Sequence, residues 1–258
     1  MARISYDERT AAAYKAAREL PRAGLLEWRE AVGRHLRPTP ETTVVDVGAG
    51  TGQFATAFRD WFDVRVVAVE PAAAMRRQIP RTDSIHVVAG DATAIPVADA
   101  SADAAWLSLV VHHIADLEAA AGELRRILRP GAPVLIRQGF PGRVDGVELV
   151  RWFPETARVV DSYPTVEEVC DTFAAAGFRR DALEQVVERY GSGLASFLAA
   201  LDTFRAADTT MRSLTDDEYE RGKARVRRAV GAGLEDARSN RLDLLVLRPA
   251  TRTGRAGP

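Results

Sequence analysis

Gly48, Gly50 and Gly52 follow directly on the β-branched run Thr43-Val44-Val45-Asp46-Val47. Glycines there let a strand turn tightly into a helix and let backbone approach a ligand at the strand's carboxyl end. Acids recur at the same edge. Asp46 closes the first run, Glu70-Pro71 closes the next one 24 residues later, and Gly90-Asp91-Ala92 closes the third. An acid after the second strand can accept both hydroxyls of a ribose, and Asp91 suits an exocyclic amine. Asp91 equally suits a turn cap. His112 and His113 follow a fourth apolar stretch. An imidazole with a pKa near ~6.5 fits general-base work at neutral pH, and such a pair can also simply hold a loop. His35 and His86 read as structural. The single cysteine, Cys170, excludes an intramolecular disulfide and a Cys-based zinc site. It shares an apolar helical pattern with Val166, Val169 and Phe173, which reads as burial. No metal site is expected.

Elements must bring these groups together. Strands are predicted at 43–47, 64–69, 85–89, 102–110 and 134–136, with helices at 54–62 and 115–128, the latter stopped by Pro130-Gly131. Strands alternating with helices of ten to fifteen residues indicate parallel βαβ units, hence an α/β, doubly wound sheet covered on both faces. Residues 7–36 read as N-terminal helices broken at Pro21. Beyond residue 140 the alternation loosens. A helix is expected over 165–176, a strand over 178–188, helices over 194–215 and 216–234, and a closing strand at 241–247. The chain therefore divides into an N-terminal helical cap (1–40), a ligand-binding domain (41–250) with a helical lid inserted at about 192–235, and a flexible tail (251–258).

Composition bounds the function. The 258 residues carry 47% hydrophobic and 28% charged side chains with a net charge of -1, so no basic excess advertises nucleic acid or an acidic membrane. The basic run Arg221, Lys223, Arg225, Arg227, Arg228 is flanked by acids and reads as a solvated helix face. The N-terminus shows no apolar leader and no stretch of 18 apolar residues occurs, so a cytoplasmic protein is expected. A dinucleotide fingerprint, G-x-G-x-x-G, fails when counted from Gly48, because Gln53 occupies the third position. Counted from Gly50, Ala55 meets a looser form, which keeps an NAD(P)-dependent oxidoreductase as a rival. No phosphate-binding lysine follows the loop.

Taken together, Val44–Gln53, Glu70-Pro71, Gly90-Asp91-Ala92, the Leu107–His113 strand end and Leu128-Arg129-Pro130-Gly131 resemble the class I S-adenosylmethionine-dependent methyltransferases, small-molecule branch. The resemblance covers roughly residues 40–140. It implies a Rossmann-like, seven-stranded sheet with its last strand antiparallel. It also implies S-adenosyl-L-methionine as cofactor, held by Asp46, Gly48, Ala49, Gly50, Gln53, Glu70, Pro71, Met75, Asp91, Ala92 and Leu107. In this assignment Glu70 grips the ribose, Asp91 meets the adenine amine and Met75 packs on the ring, although Met75 is as readily a core residue. Arg18 could pair with the cofactor's carboxylate.

Methyl transfer is an in-line displacement in which the protein aligns the acceptor and shields the site. His112 and His113 are the candidate bases if the acceptor must lose a proton. Tyr6, Tyr14, Phe140, Arg143 and Phe197 are the candidate acceptor contacts, beneath a lid whose apolar stripe suggests a small hydrophobic or aromatic substrate. A monomer or homodimer is expected. A methyltransferase-fold protein that binds a ligand without methylating remains an alternative of another class.

Overall fold

The computed structural model describes Glu8, Ala11, Lys15 and residues 19–234 and 238–250. Five β-branched or alanine-rich runs form parallel strands: β1 (Thr43–Val47), β2 (Arg65–Val69), β3 (Ile85–Val88), β4 (Ala104–Ser108) and β5 (Val134–Gln138). Two longer strands, β6 (Phe178–Arg189) and β7 (Ser239–Pro249), complete a seven-stranded sheet of order β3-β2-β1-β4-β5-β7-β6. β7 lies antiparallel to both β5 and β6. The fold is the doubly wound, Rossmann-like sheet expected from the sequence. The expected 102–110 strand is trimmed to Ala104–Ser108, because Leu109 turns into left-handed backbone with φ 52°.

Helices cover both faces. On one face, α1 (Leu26–Leu36) and α2 (Gln53–Phe62) pack Trp28, Phe54 and Phe58 around Trp106 of β4. A short α3 (Ala73–Gln78) follows β2. On the other face, α4 (Leu117–Ile127), capped by Asp116, and α7 (Val166–Ala175), opened by a Thr165–Glu168 capping box, bury Leu124, Ile127, Val169 and Phe173. Each cap satisfies backbone N–H groups that the helix leaves unpaired. Two short helices, α5 (Glu148–Trp152) and α6 (Ala157–Val160), lie in the connection from β5 to α7.

Between β6 and β7 the chain forms α8 (Leu194–Ala207), α9 (Thr209–Arg212) and α10 (Asp216–Gly231). These have their own apolar cluster, built from Phe197, Leu201, Phe204, Met211 and Val226 with Trp152 and Phe153 of the β5–α7 connection. Arg238, which returns the chain to β7, makes a buried ion pair with Glu148 of α5 at 2.8 Å and stacks 4.0 Å from the Phe197 ring. Among the described residues, no helix is long and apolar enough to cross a membrane. Residues 251–258, expected as a tail, lie outside the described residues.

Candidate functional site

The β1–α2 turn is held by its own hydrogen bonds. Gly48 and Ala49 donate their N–H groups to the Val69 carbonyl at 2.8 and 3.1 Å, so the loop is tied to the end of β2. Gly48 has φ 70°, and a Cβ there would stand 2.5 Å from Val110 Cγ2 after β4. Gly50 has φ 57° and no described residue within 4 Å of where a Cβ would stand, so among the described residues its backbone borders open space. The first glycine lets two strand ends approach; the second keeps a cradle clear.

Glu70 orders this loop. One carboxylate oxygen accepts from Gly50 N at 2.9 Å, and the other accepts from Ala72 N at 2.8 Å. Burial pushes the Glu70 carboxyl above its usual range, opposed by those two N–H donors. A carboxylate has about four lone-pair sites, so acceptor capacity remains for hydroxyls of a ligand. Asp46 lies deeper, at 1% exposure, and its Oδ2 has no hydrogen-bond partner. Burial first, then the Glu70 charge, raise its pKa to about 7.

The cleft over this turn is lined by Glu19, Asp46, Ala49, Gly50, Ser108 and Leu109, with Arg137 and Glu188 on its far wall. Arg137, at the end of β5, is neutralised by Glu188 in a buried pair whose side chains are 6% and 2% exposed. Glu188 Oε2 also accepts from Trp28 Nε1 at 3.0 Å, its Oε1 accepts from Asn240 Nδ2 at 3.2 Å, and Arg137 Nη1 donates to Ser108 Oγ at 3.0 Å. With Arg137 cancelled, the described residues of the cleft keep an excess of carboxylates. That field favours a cation and disfavours a pyrophosphate.

At the same sheet edge, Gln138 Nε2 lies 3.0 Å from His112 Nδ1, and the His112 ring stacks on Tyr163 with centroids 4.0 Å apart. The His113 ring centroid also lies 4.0 Å from that of His112. A second cavity, of about 210 Å³, opens between α5, the start of β7 and the inserted helices, with Glu148, Trp152, Leu194 and Arg238 in its wall.

The residues singled out from the sequence fall into three groups. Asp46, Gly48, Ala49, Gly50 and Gln53 line the cleft and Glu70 braces it, while Pro71 follows at the β2 end. Asp91 uses Oδ1 to accept from Thr93 N and Thr93 Oγ1 at 2.8 and 2.6 Å, the turn-capping arrangement. Ala92 is 7% exposed in the core beside it, and Met75 is 3% exposed against Ala11 and Ala74. The third group faces away from the cleft. Leu107 is fully buried with Val45 and Ile136, because alternate residues of a strand face opposite sides; Ser108 and Leu109 take the cleft position instead. Phe140 is likewise fully buried in that core. Arg143 is held bidentately by Asp243 at 2.8 and 3.0 Å, and Phe197 packs inside the inserted helices. Tyr6, Tyr14 and Arg18 lie outside the described residues. Burial pushes the Cys170 thiol up, which fits a packed side chain.

Arg137, Gln138, Glu188 and Asn240 were not singled out. A signal for the first pair existed: two polar residues immediately after Val134-Leu135-Ile136, at the same strand edge as the glycines. Glu188 carries no local signal, because its partner Arg137 is 51 residues away.

Residues 45–136 match a family profile described as a methyltransferase domain. A malonyl-[acyl-carrier protein] O-methyltransferase of Xylella fastidiosa is 29% identical over 149 residues, covering 55% of this chain and 50% of that protein. A demethylmenaquinone methyltransferase of Corynebacterium kroppenstedtii is 32% identical over 144 residues, covering 53% of this chain and 62% of that protein. Over this segment the chain is similar to methyltransferase domains. The chain spans between half and five-eighths of the length of those two relatives. Its fold superimposes with a TM-score of 0.67 and 19% identity on a crystal structure from Anabaena variabilis, provisionally assigned as a methyltransferase of an antibiotic biosynthesis pathway. That match covers 85% of this chain and 96% of the other.

Proposed function

We propose that this protein is a methyltransferase that transfers a methyl group from S-adenosyl-L-methionine to a small hydrophobic or aromatic molecule. The observation that carries the reading is the unpartnered, buried Asp46 Oδ2 in an acid-lined cleft over the glycine turn. A buried carboxylate oxygen without a donor is costly, and a ligand ammonium supplies the donor. The cofactor brings an electrophilic methyl on a sulfonium, whose positive charge the same carboxylates favour. A dinucleotide would instead place a pyrophosphate against them, so the NAD(P) rival is disfavoured on charge.

The chain's own residues then have separable tasks. Asp46 receives the ammonium end, and Gly50 leaves room for the ligand. Glu70 keeps acceptor capacity for ribose hydroxyls while its bonds to Gly50 N and Ala72 N fix its orientation. Asp91, just beyond β3, is the residue we assign to the adenine amine, while its Oδ1 accepts from Thr93. The inserted helices α8–α10 close over the C-terminal edge of the sheet and exclude water from the displacement. The activities after which the two relatives are named, on malonyl-[acyl-carrier protein] and on demethylmenaquinone, accord with acceptors brought to such an edge. We extend the reading to a protein of the cytoplasm acting without nucleic acid or membrane as substrate.

Calorimetric titration with S-adenosylhomocysteine and with NADH tests the proposal, repeated on Glu70→Ala. Binding of the sulfur nucleoside is expected, weakened at least about tenfold in the variant, since losing one charged acceptor is worth roughly 1.5–3 kcal/mol. Binding of NADH alone would overturn it.

A further inference from the structure

Cancelling a charge does not use up its donors, and Arg137 shows the difference. A guanidinium carries five N–H groups in a fixed fork. In Arg137, Nε and Nη2 donate to Glu188 Oε2, and Nη1 donates to Ser108 Oγ at 3.0 Å. Two N–H groups are left, one on each Nη, and no described residue accepts from them. The guanidinium lies 5.4 Å from the Trp28 ring centroid and 5.3 Å from that of Phe54, and the residue is 5% exposed. Its orientation is therefore set before a ligand arrives. A buried N–H without an acceptor is costly, and both Arg137 and Ser108 line the cleft, from which an acceptor would come. Glu188 does not depend on Arg137 alone, because it also accepts from Trp28 Nε1 and Asn240 Nδ2. The guanidinium is thus free to take a second carboxylate without leaving Glu188 unsatisfied.

The strand register sets this donor across from Asp46. Asp46 of β1 is level with Trp106 of β4, and Trp106 is level with Leu135 of β5. Arg137 stands on the same face of the sheet, two strands away and two residues, or about 6.6 Å, closer to the carboxyl edge. One wall of the cleft then offers a buried carboxylate oxygen that lacks a donor, and the other offers N–H groups that lack an acceptor. An α-amino acid carries the complementary ammonium and carboxylate on a single carbon. We infer that Arg137 anchors the carboxylate of the ligand's amino-acid end, so that the cleft selects nucleosides with an intact zwitterionic α-amino acid group over decarboxylated ones. The inference rests on the methyl-transfer reading and names what this site recognises in its cofactor. It also gives the buried ion pair a task. An unpaired arginine here would set a positive field beside the ammonium and the sulfonium. Paired with Glu188, it keeps directional donors for the carboxylate while the field at the other end of the cleft stays negative.

Calorimetry on the full chain compares S-adenosylhomocysteine with its decarboxylated analogue, in which an aminopropyl group replaces the aminocarboxypropyl group. The wild type should bind the analogue about ten- to a hundredfold more weakly, the range expected for one charge-assisted contact. The neutral pair Arg137→Gln with Glu188→Gln should bring the two affinities to within about twofold of each other, chiefly by weakening S-adenosylhomocysteine. A purely structural role for the pair would weaken both compounds alike and leave the wild-type ratio, and that result overturns the inference. So does a wild-type ratio near one. Should the double variant not fold, a crystal structure of the wild type with S-adenosylhomocysteine decides. A carboxylate oxygen within hydrogen-bond distance of an Arg137 Nη is expected, and a carboxylate held by any other cation, Arg18 included, overturns the assignment. Failure of both compounds to bind the wild type is a different result and overturns the methyl-transfer reading beneath it.

Discussion

At the end of β1, Asp46 titrates about three units above an ordinary aspartate, because burial and Glu70 both oppose its charge. The folded state therefore holds this proton more tightly than the unfolded chain. Its contribution to stability is greatest below about pH 4, declines as pH rises toward 7 and is flat above that. Ligand binding has the opposite slope. A cationic nucleoside needs the ionised carboxylate, which is half populated at pH 7 and about a tenth populated at pH 6, so its Kd should be about fivefold weaker at pH 6. The window keeps an α-amino group with pKa near ~7.8 protonated throughout. Calorimetry in buffers of differing ionisation heat should show a proton released on binding, and Asp46→Asn should lose both that release and the pH slope. A Kd unchanged between pH 6 and 7 would contradict the assignment. The placement of Asp46 and Glu70 was legible in the sequence because each ends a continuous apolar run, and strand ends share an edge. The Arg137–Glu188–Asn240 network was not, because hydrogen bonds across a sheet join residues with no local relation. Leu107 was misplaced by one residue. In a strand of period two, that error moves a side chain to the opposite face.

The elements that could be read were those with one dominant signal. β1, β2, β5 and β7 are nearly unbroken β-branched or leucine runs, and α7 and α10 open with capping boxes at Thr165 and Thr215. α5 and α6 escaped notice because helices of five and four residues are too short for periodicity to register. Their importance lies in packing: Phe153, just after α5, is fully buried against α10 at Gly222. A methyl group added at Gly222 would run into the Phe153 ring. Gly222→Ala should therefore destabilise by about 1–3 kcal/mol, overriding the usual helix preference for alanine. Gly122, in the middle of α4, has nothing within 4 Å of a built Cβ, and Gly122→Ala should stabilise by about 0.5–1 kcal/mol. Thermal melts of the two variants check the pair; a Tm unchanged or raised by Gly222→Ala would mean that α10 is not seated on Phe153.

For the molecule as a whole, the β6–β7 ladder and the helices inserted at its tip are separable. The last paired residues are Arg189 and Ser239, and the intervening α8–α10 pack mainly on one another and on Trp152 and Phe153. Among the described residues, none that lines the cleft lies between 191 and 238. Replacing 194–234 by a short turn should therefore leave S-adenosylhomocysteine binding in place while abolishing turnover of any acceptor. A folded variant that no longer bound the nucleoside would show that the insertion also holds the cleft. The position of β7 between β5 and β6 has a different kind of consequence, one for the chain as it is being made. The exposed edge of β5 exists as soon as residue 138 leaves the ribosome, yet its partner ends only at residue 249, about 110 residues later. At about 5–20 residues per second that is an interval of roughly 6–22 s. Throughout it, a five-stranded parallel sheet waits with an unpaired, wholly apolar Val134-Leu135-Ile136 border, a template for another nascent copy. Slow translation through the insertion should raise the aggregated fraction, and a chaperone that covers strand edges should matter more to this chain than its native stability suggests.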